Sequence, residues 1–430
     1  MRLLILTHQF LPRHVGGTEW LAAWLAQQAQ RVGHEVRVLT HVPGTANRAD
    51  WGMRRTRHEG IEIVELHSQA AFAPNPARAE FDDPFTAWCM EALVEDFRPE
   101  AVVALHGMKL SGSVLQVLLE AGIPVVAVLT DFWFACPRHT LLRWDGTLCR
   151  GPRHALDCVR CVHQSHHFMD GLWQRLPEGE MSDLLKEQQV QGVLGPKTTA
   201  ELAALAERPG FLLDLLARCH RVVALTEFAR QLWLERGLQS ERIVVLPHGP
   251  ATFPQAGRRL DPLVPPMVLV VGPLSPAKGP QVLVEALRLI PEVAVQIHCY
   301  GPVPAGAFGD EMRAAAAADG RFQIKGEFAY DAFAELLDQA TAFAAPARWY
   351  ENGPLAVKSA LAAGVPVLAS NLGCFPEMIE HGRQGWLLPP GDATAWAQAL
   401  RRVAAGEVPA AAQPQPSPET WSREILALFP

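Results

Sequence analysis

The 430-residue sequence lacks any apolar run of the roughly 18–20 residues that a membrane-spanning helix needs. It also lacks an excess of positive charge: the net charge is −7, which sets aside a general nucleic-acid binder, since that would need a basic surface. Local basic patches such as Arg54–Arg57 remain. There is no short-period repeat. The N-terminal run Met1-Arg2-Leu3-Leu4-Ile5-Leu6 is too short for a signal peptide and reads as a buried strand. On these grounds a cytoplasmic protein is expected. What the chain does have is core-forming material: 49% hydrophobic residues against 19% charged. Its length exceeds one ordinary core and implies two domains of roughly 150–250 residues. Twelve Trp are mostly packing residues, and eight Cys are expected to be largely reduced in that compartment.

Short apolar runs alternate with helical segments. Residues 3–7 read as a strand, Gly16-Gly17-Thr18 as the turn, 19–32 as a helix closed by Gly33-His34, and 36–40 as the next strand. Runs at 61–66, 101–105 and 125–129 continue the pattern, and each is apolar enough to be buried on both faces. The rhythm breaks at about 131–218, read as an insertion crowded with Cys, His, Arg and Trp and then helical. It resumes with strands at 221–225 and 243–246 around a helix at 227–236. A Pro- and Gly-rich linker, 251–266, closes a first domain of residues 1–250. A second series has strands at 268–271, 293–300, 322–324, 342–345, 367–369 and 385–388, giving a second domain of residues 267–410. Residues 411–430 form a tail with a short closing helix. The fold class expected is α/β: two Rossmann-like domains with parallel sheets, facing each other across a cleft. In such sheets ligands bind beyond the carboxyl ends of the strands, so the strand-to-helix turns carry the functional expectation.

Three turns stand out. In His14-Val15-Gly16-Gly17-Thr18-Glu19, paired glycines at a helix start allow backbone amides to approach an anion, or they form a plain tight turn. After the first strand of the second domain, Gly272-Pro273-Leu274-Ser275-Pro276-Ala277-Lys278-Gly279 offers Lys278 to a phosphate. In Pro346-Ala347-Arg348-Trp349-Tyr350-Glu351-Asn352-Gly353-Pro354-Leu355, a helix is expected from about Gly353, with Pro354 in its first turn. There Glu351 can accept hydrogen bonds from sugar hydroxyls or simply cap the helix, and the Gly353 and Leu355 amides can meet a phosphate.

Taken in order, these turns resemble the family 4 retaining glycosyltransferases of GT-B fold, over nearly the whole chain outside the insertion. The opening Gly-Gly-x-Glu and Gly-His-Glu-Val are met by Gly16-Gly17-Thr18-Glu19 and Gly33-His34-Glu35-Val36, and the family's Lys-Gly by Lys278-Gly279. Its Glu-Asn turn is met by Pro346 to Leu355, and its later segments by Gly364-Val365-Pro366-Val367, Gly373 to Glu377 and Gly385 to Asp392. The resemblance implies that Gly16 and Gly17 approach the donor phosphate and that His106, after the 101–105 strand, lies beside the donor sugar. It implies that Lys278 binds the pyrophosphate and Glu351 the sugar hydroxyls, with His106 and Glu351 as the catalytic pair. Asn352, Gly353, Pro354, Leu355 and Ser359 complete the donor-binding set, and no divalent metal is needed for transfer. The chain departs from the pattern at Pro273, where the family has Arg, and at Ser359, where it has a second Glu. It departs again at Thr130, where relatives with a similar Cys cluster have His. These departures imply an altered donor, weak activity or a non-catalytic relative.

Cys136, Cys149, Cys158 and Cys161 form a compact set, the last two as CxxC. Four thiols so spaced suit a tetrahedral structural zinc site; disulfides, an iron–sulfur cluster and unligated thiols are the alternatives. The resemblance to a four-Cys subset of the family points the same way.

The expected activity is therefore retaining transfer of a hexose-type sugar from a nucleoside diphosphate donor to a glycan, lipid-linked or small-molecule acceptor. The expected partners include no nucleic acid, and peripheral contact with the inner face of a membrane is compatible with the sequence. A catalytically silent GT-B scaffold or sugar-binding partner is the rival reading, and a GT-B phosphorylase or epimerase a third.

Overall fold

The computed structural model describes residues 1–151, 155–162, 196–249, 264–329, 332–409 and 415–430. The expected linker falls largely outside these residues, as does the middle of the expected insertion. The described chain divides into two compact units. The first comprises Met1–Val223, Trp233–Val244 and Ser422–Pro430; the second comprises Ala224–Leu232 and Val245–Trp421.

The first sheet has eight strands: β1 (Arg2–Thr7), β2 (Glu35–Pro43), β3 (Gly52–His58), β4 (Ile61–Ser68), β5 (Ala101–Ala104), β6 (Val125–Leu129), β7 (Arg221–Ala224) and β8 (Ile243–Val245). Their order is β3-β4-β2-β1-β5-β6-β7-β8. Its central strands read as unbroken apolar runs because helices cover both faces, and β5 and β6 are buried at every residue. The edge strand β3 was not expected. It runs antiparallel to β4, so this sheet is not wholly parallel.

The second sheet comprises β9 (Met267–Val271), β10 (Gln296–Tyr300), β11 (Phe322–Gly326), β12 (Ala342–Ala345), β13 (Val367–Ser370) and β14 (Gly385–Leu388), in the order β11-β10-β9-β12-β13-β14. Successive side chains of β9 enter different cores. Val268 and Val270 join Leu283, Ile297, Trp396 and Leu400 on one face. Met267 and Leu269 join Phe343, Val357, Leu361 and Phe375 on the other. A strand's two-residue period sends alternate side chains to opposite faces, and each fully buried Val, Leu or Phe contributes about 1.5–3 kcal/mol.

Two loops of this unit are pressed together by the sheet order. Strands β9 and β12 are paired, with Val268 opposite Ala342, so the loops that follow them are neighbours. The Arg348 amide donates to the Ala277 carbonyl at 2.8 Å. Gly279 makes this approach possible. Its φ is +76°, and a Cβ there would lie 1.9 Å from the Pro346 carbonyl oxygen; only glycine fits. The helix expected from Gly353 instead spans Leu355–Ala362, with Pro354 as its flanking N-cap residue. The reason is local: Gly353 has φ +77°, a left-handed conformation that a right-handed helix cannot include.

Candidate functional site

In the first unit, chemistry gathers at the carboxyl ends of β1, β5 and β6. Strands β1 and β5 pair in parallel, as do β5 and β6. Residues just past their ends therefore converge: His8 after β1, His106 after β5 and Asp131 after β6. The His106 Nδ1 accepts the Met108 amide at 3.0 Å, so the ring proton sits on Nε2 and is donated to Asp131 Oδ2 at 2.7 Å. Asp131 Oδ1 in turn accepts the Trp133 amide at 2.8 Å. Burial pushes the Asp131 carboxyl up, but the neighbouring His106 and its hydrogen bond, with His139 and the Trp133 amide, more than reverse this and leave it below the ordinary aspartate value. The His8 ring lies 4.3 Å from that of His106, centroid to centroid. Burial, then the neighbouring His106, holds the His8 pKa well below the usual histidine value. Thr130, the residue that departs from the resemblance, donates its hydroxyl to the Leu105 carbonyl at 2.9 Å and so ties β6 to β5.

Gly16 and Gly17 open the helix Gly17–Arg31. The carboxylate of Glu19 folds back over them, with Oε2 2.5 Å from where a Gly16 Cβ would be. The helix N-terminus thus already carries an acid, which is 5% exposed and whose pKa burial raises. An anion arriving there meets that acid first.

In the second unit the neighbouring loops bring Lys278 to Glu351. The Lys278 ammonium donates to Glu351 Oε1 at 2.7 Å, and the Trp349 indole donates to the same oxygen at 2.8 Å. The ammonium also lies 5.3 Å from the centre of the Trp349 ring, within cation–π range. Glu351 is 6% exposed. Asn352 Oδ1 accepts the Thr226 hydroxyl at 3.2 Å. Two expected donor contacts are otherwise engaged. The Gly353 amide donates to the Cys374 sulfur at 3.3 Å, and the Ser359 hydroxyl donates to the Leu355 carbonyl one helical turn back, at 3.0 Å. Pro354 flanks the helix that Leu355 begins, and Pro273 contributes neither a cation nor an amide proton.

Lys358 was not singled out from the sequence, and Glu377 entered only as the end of the matching segment from Gly373 to Glu377, without a role. Glu377 accepts the amides of Glu227 and Phe228, capping the helix Glu227–Glu235 with a negative charge at its positive end. Lys358 is 3% exposed and donates to the His248 carbonyl. Burial lowers its pKa from 10.5 to about 8. A buried lysine on an apolar helix face carries no motif, so only its apolar neighbours could have marked it. Its linkage sign is definite. Between the folded value of about 8 and the unfolded 10.5, the unfolded chain holds more protons, so this residue's contribution to stability rises with pH through that window. The gain is on the order of 3 kcal/mol. Chemical denaturation between pH 7 and 10.5 is expected to show it in the wild type and not in Lys358→Met.

Comparison with known proteins identifies the fold. Residues 265–405 match the family described as "Glycosyl transferases group 1". Across 100% of this chain and 94% of the other, the structure is similar to sucrose-phosphate synthase from Thermosynechococcus elongatus, with TM-score 0.62 and 17% identity. Across 99% and 98%, it is similar to Anabaena Alr3699/HepE in complex with UDP and glucose, with TM-score 0.61 and 18% identity. The fold is GT-B. Among curated proteins, this GT-B chain is 34% identical over 154 residues to the amylovoran biosynthesis glycosyltransferase AmsK of Erwinia amylovora, covering 33% of this chain and 37% of that one. It is 29% identical over 150 residues to the putative colanic acid biosynthesis glycosyltransferase WcaL of Escherichia coli K12, covering 32% and 36%. The chain thus matches little more than a third of the length of these two relatives. The family match contains Lys278, Glu351 and Ser359; His106 and the four clustered cysteines lie outside it.

Proposed function

We propose that this GT-B chain transfers a sugar from a nucleoside diphosphate donor to a polysaccharide-type glycan or lipid-linked acceptor, with retention at the anomeric carbon. The observation that carries the reading is the Lys278–Glu351–Trp349 cluster at the loops after β9 and β12, in the segment matched to glycosyltransferases. As the diphosphate leaves, negative charge grows on its oxygens, and the Lys278 ammonium stabilises it. Glu351, released from that ammonium, accepts hydrogen bonds from the donor-sugar hydroxyls. His106 is the first unit's own candidate on this reading. An imidazole whose Nε2 proton is held by Asp131 gains partial negative character, which suits the positive charge that develops on the sugar ring. Gly16 and Gly17 keep side chains away from a helix N-terminus where a donor phosphate is favoured. A phosphate bound there has to displace the Glu19 carboxylate, which now folds over Gly16. The donor set of this reading is Gly16, Gly17, Lys278, Glu351 and Asn352, with Gly353, Pro354, Leu355 and Ser359 shaping the turn beneath it.

The Anabaena protein's complex with UDP and glucose makes UDP-glucose the first donor to try. No described helix is long and apolar enough to cross a membrane; on this reading a lipid-linked acceptor is met at the cytoplasmic membrane face. Two observations favour the rival, a silent scaffold: Pro273 supplies no cation, and the Ser359 hydroxyl is held by its own helix. Calorimetry and nucleotide-release assays with UDP-, GDP-, ADP- and dTDP-sugars separate the readings. Micromolar-to-millimolar binding of one donor is expected, with turnover that EDTA leaves within about twofold. Absence of binding to every donor would establish the scaffold instead.

A further inference from the structure

Four cysteines of the first unit stand apart from the sugar chemistry. Cys136, Cys149, Cys158 and Cys161 all line one cavity of about 60 Å³, and the local backbone explains why. The chain turns tightly after Phe132: the Cys136 amide donates to the Phe132 carbonyl at 2.8 Å, and the His139 amide to the Cys136 carbonyl at 2.8 Å. A small hairpin follows, with Leu142 bridged to Leu148 and the Arg143 amide donating to Thr147 at 2.8 Å. It returns the Cys149 amide to the Leu141 carbonyl at 2.8 Å. Cys158 and Cys161 are three apart on the helix Ala155–Val162 and so share a face. The Arg160 guanidinium stacks 3.8 Å from the Trp144 ring, tying that helix to the hairpin.

Burial raises the Cys136 and Cys161 thiols above the ordinary cysteine value, and polar groups aimed at the sulfurs act the other way. The amides of Leu141 and Arg138 are directed at the Cys136 sulfur and that of Trp144 at the Cys161 sulfur; the Arg143 side chain donates to Cys149. Amides and guanidinium groups aimed at sulfur stabilise thiolates, the form that ligates metal. Burial first, and then the other three cysteines, drive the Cys158 thiol up to about 12. Four thiols facing one small space repel as thiolates unless a cation lies among them. As their side chains stand, no three His, Cys, Asp or Glu among the described residues form a metal-holding group. The sulfurs would have to close on a common centre, and each Cys has only its χ1 torsion to turn.

We propose that these four cysteines close around one thiophilic divalent ion of the zinc class as a tetrahedral, fully protein-ligated site. The ion would have no open position for catalysis. Its role follows from where the first ligand sits. Cys136 lies in the turn that begins at Asp131, and the Phe132 amide is bonded to the His139 carbonyl at 3.3 Å, closing that turn. Clamping Cys136 to the hairpin and the helix holds the Asp131 end of the turn against His106. The metal is therefore a positioning device for the His106–Asp131 pair.

The test begins with metal analysis of the full chain purified without added zinc. One equivalent of zinc per chain is expected. It should be released by a mercurial with four thiols titrated, and replaceable by Co²⁺ to give the intense visible bands of tetrahedral thiolate coordination. Cys158→Ser and Cys161→Ser should each lower the bound metal at least tenfold, whereas Cys299→Ala, at a buried cysteine of the second unit, should retain it. Less than half an equivalent of metal, with the four thiols freely titratable in the folded protein, overturns the site; so does a disulfide among them. None of these readouts depends on donor use, so failure here is distinct from failure of the transferase reading. Positioning is read from the His106 side-chain NMR signals, which should shift on metal removal while circular dichroism remains folded. Unchanged His106 signals would overturn that role.

Discussion

Glu351→Ala is expected to lower kcat/KM for donor turnover by about 10²–10³-fold, the usual loss when one group stabilising a transition state is removed. Glu351 Oε1 holds both the Lys278 ammonium and the Trp349 indole, so its removal orphans two donors as well as the acceptor for sugar hydroxyls. Lys278→Ala should weaken binding of the nucleoside diphosphate itself. Glu351→Ala should spare that product more than it spares the intact sugar nucleotide, because the carboxylate is assigned to the sugar. Steady-state kinetics and calorimetry with donor and product, on variants shown folded by circular dichroism, check both. Turnover of Glu351→Ala within threefold of wild type would remove this residue from the mechanism.

Asp131→Asn is expected to lower kcat by about 10–100-fold with a smaller change in KM, the scale on which partners of a functional residue act. The variant preserves shape but replaces an ionised acceptor by a neutral amide. The His106 Nε2 proton, now donated at 2.7 Å to a carboxylate, should lose its downfield NMR position. Stability carries a second signature. The native Asp131 pKa lies below the ordinary 3.8, so its stabilising contribution is complete above that value and is lost as pH falls through the lower folded value. The urea-midpoint advantage of wild type over Asp131→Asn should therefore shrink in acid. A variant with wild-type kcat and an unchanged His106 signal would reduce the pair to packing.

The element order was largely legible because its signals are local. The apolar runs of β5 and β6 and the glycines flanking the helix Gly17–Arg31 each lie within a few residues. Strand β3 escaped because its sequence, Gly-Met-Arg-Arg-Thr-Arg-His, is half-exposed or exposed throughout; what makes it a strand is its pairing with β4, not its own composition. The start of the helix Leu355–Ala362 was misjudged by two residues for a related reason. Proline suits a first turn, but Gly353 takes a positive φ where its amide meets Cys374, 21 positions away.

By itself, the sequence determined two βα series, the turns that follow strands and so can bear chemistry, and a set of four cysteines with ligand-like spacing. Only the tertiary structure decided what each of those turns touches. Lys278 and Glu351 are 73 positions apart and share a 2.7 Å ion pair because β9 and β12 are adjacent; His106 and Asp131, 25 apart, meet because β5 and β6 are. The same structure engages Ser359 with its own helix and folds Glu19 over Gly16. Periodicity and turn chemistry are written over a few neighbouring residues, whereas these partners are set by strand order and register, which no short stretch of chain contains.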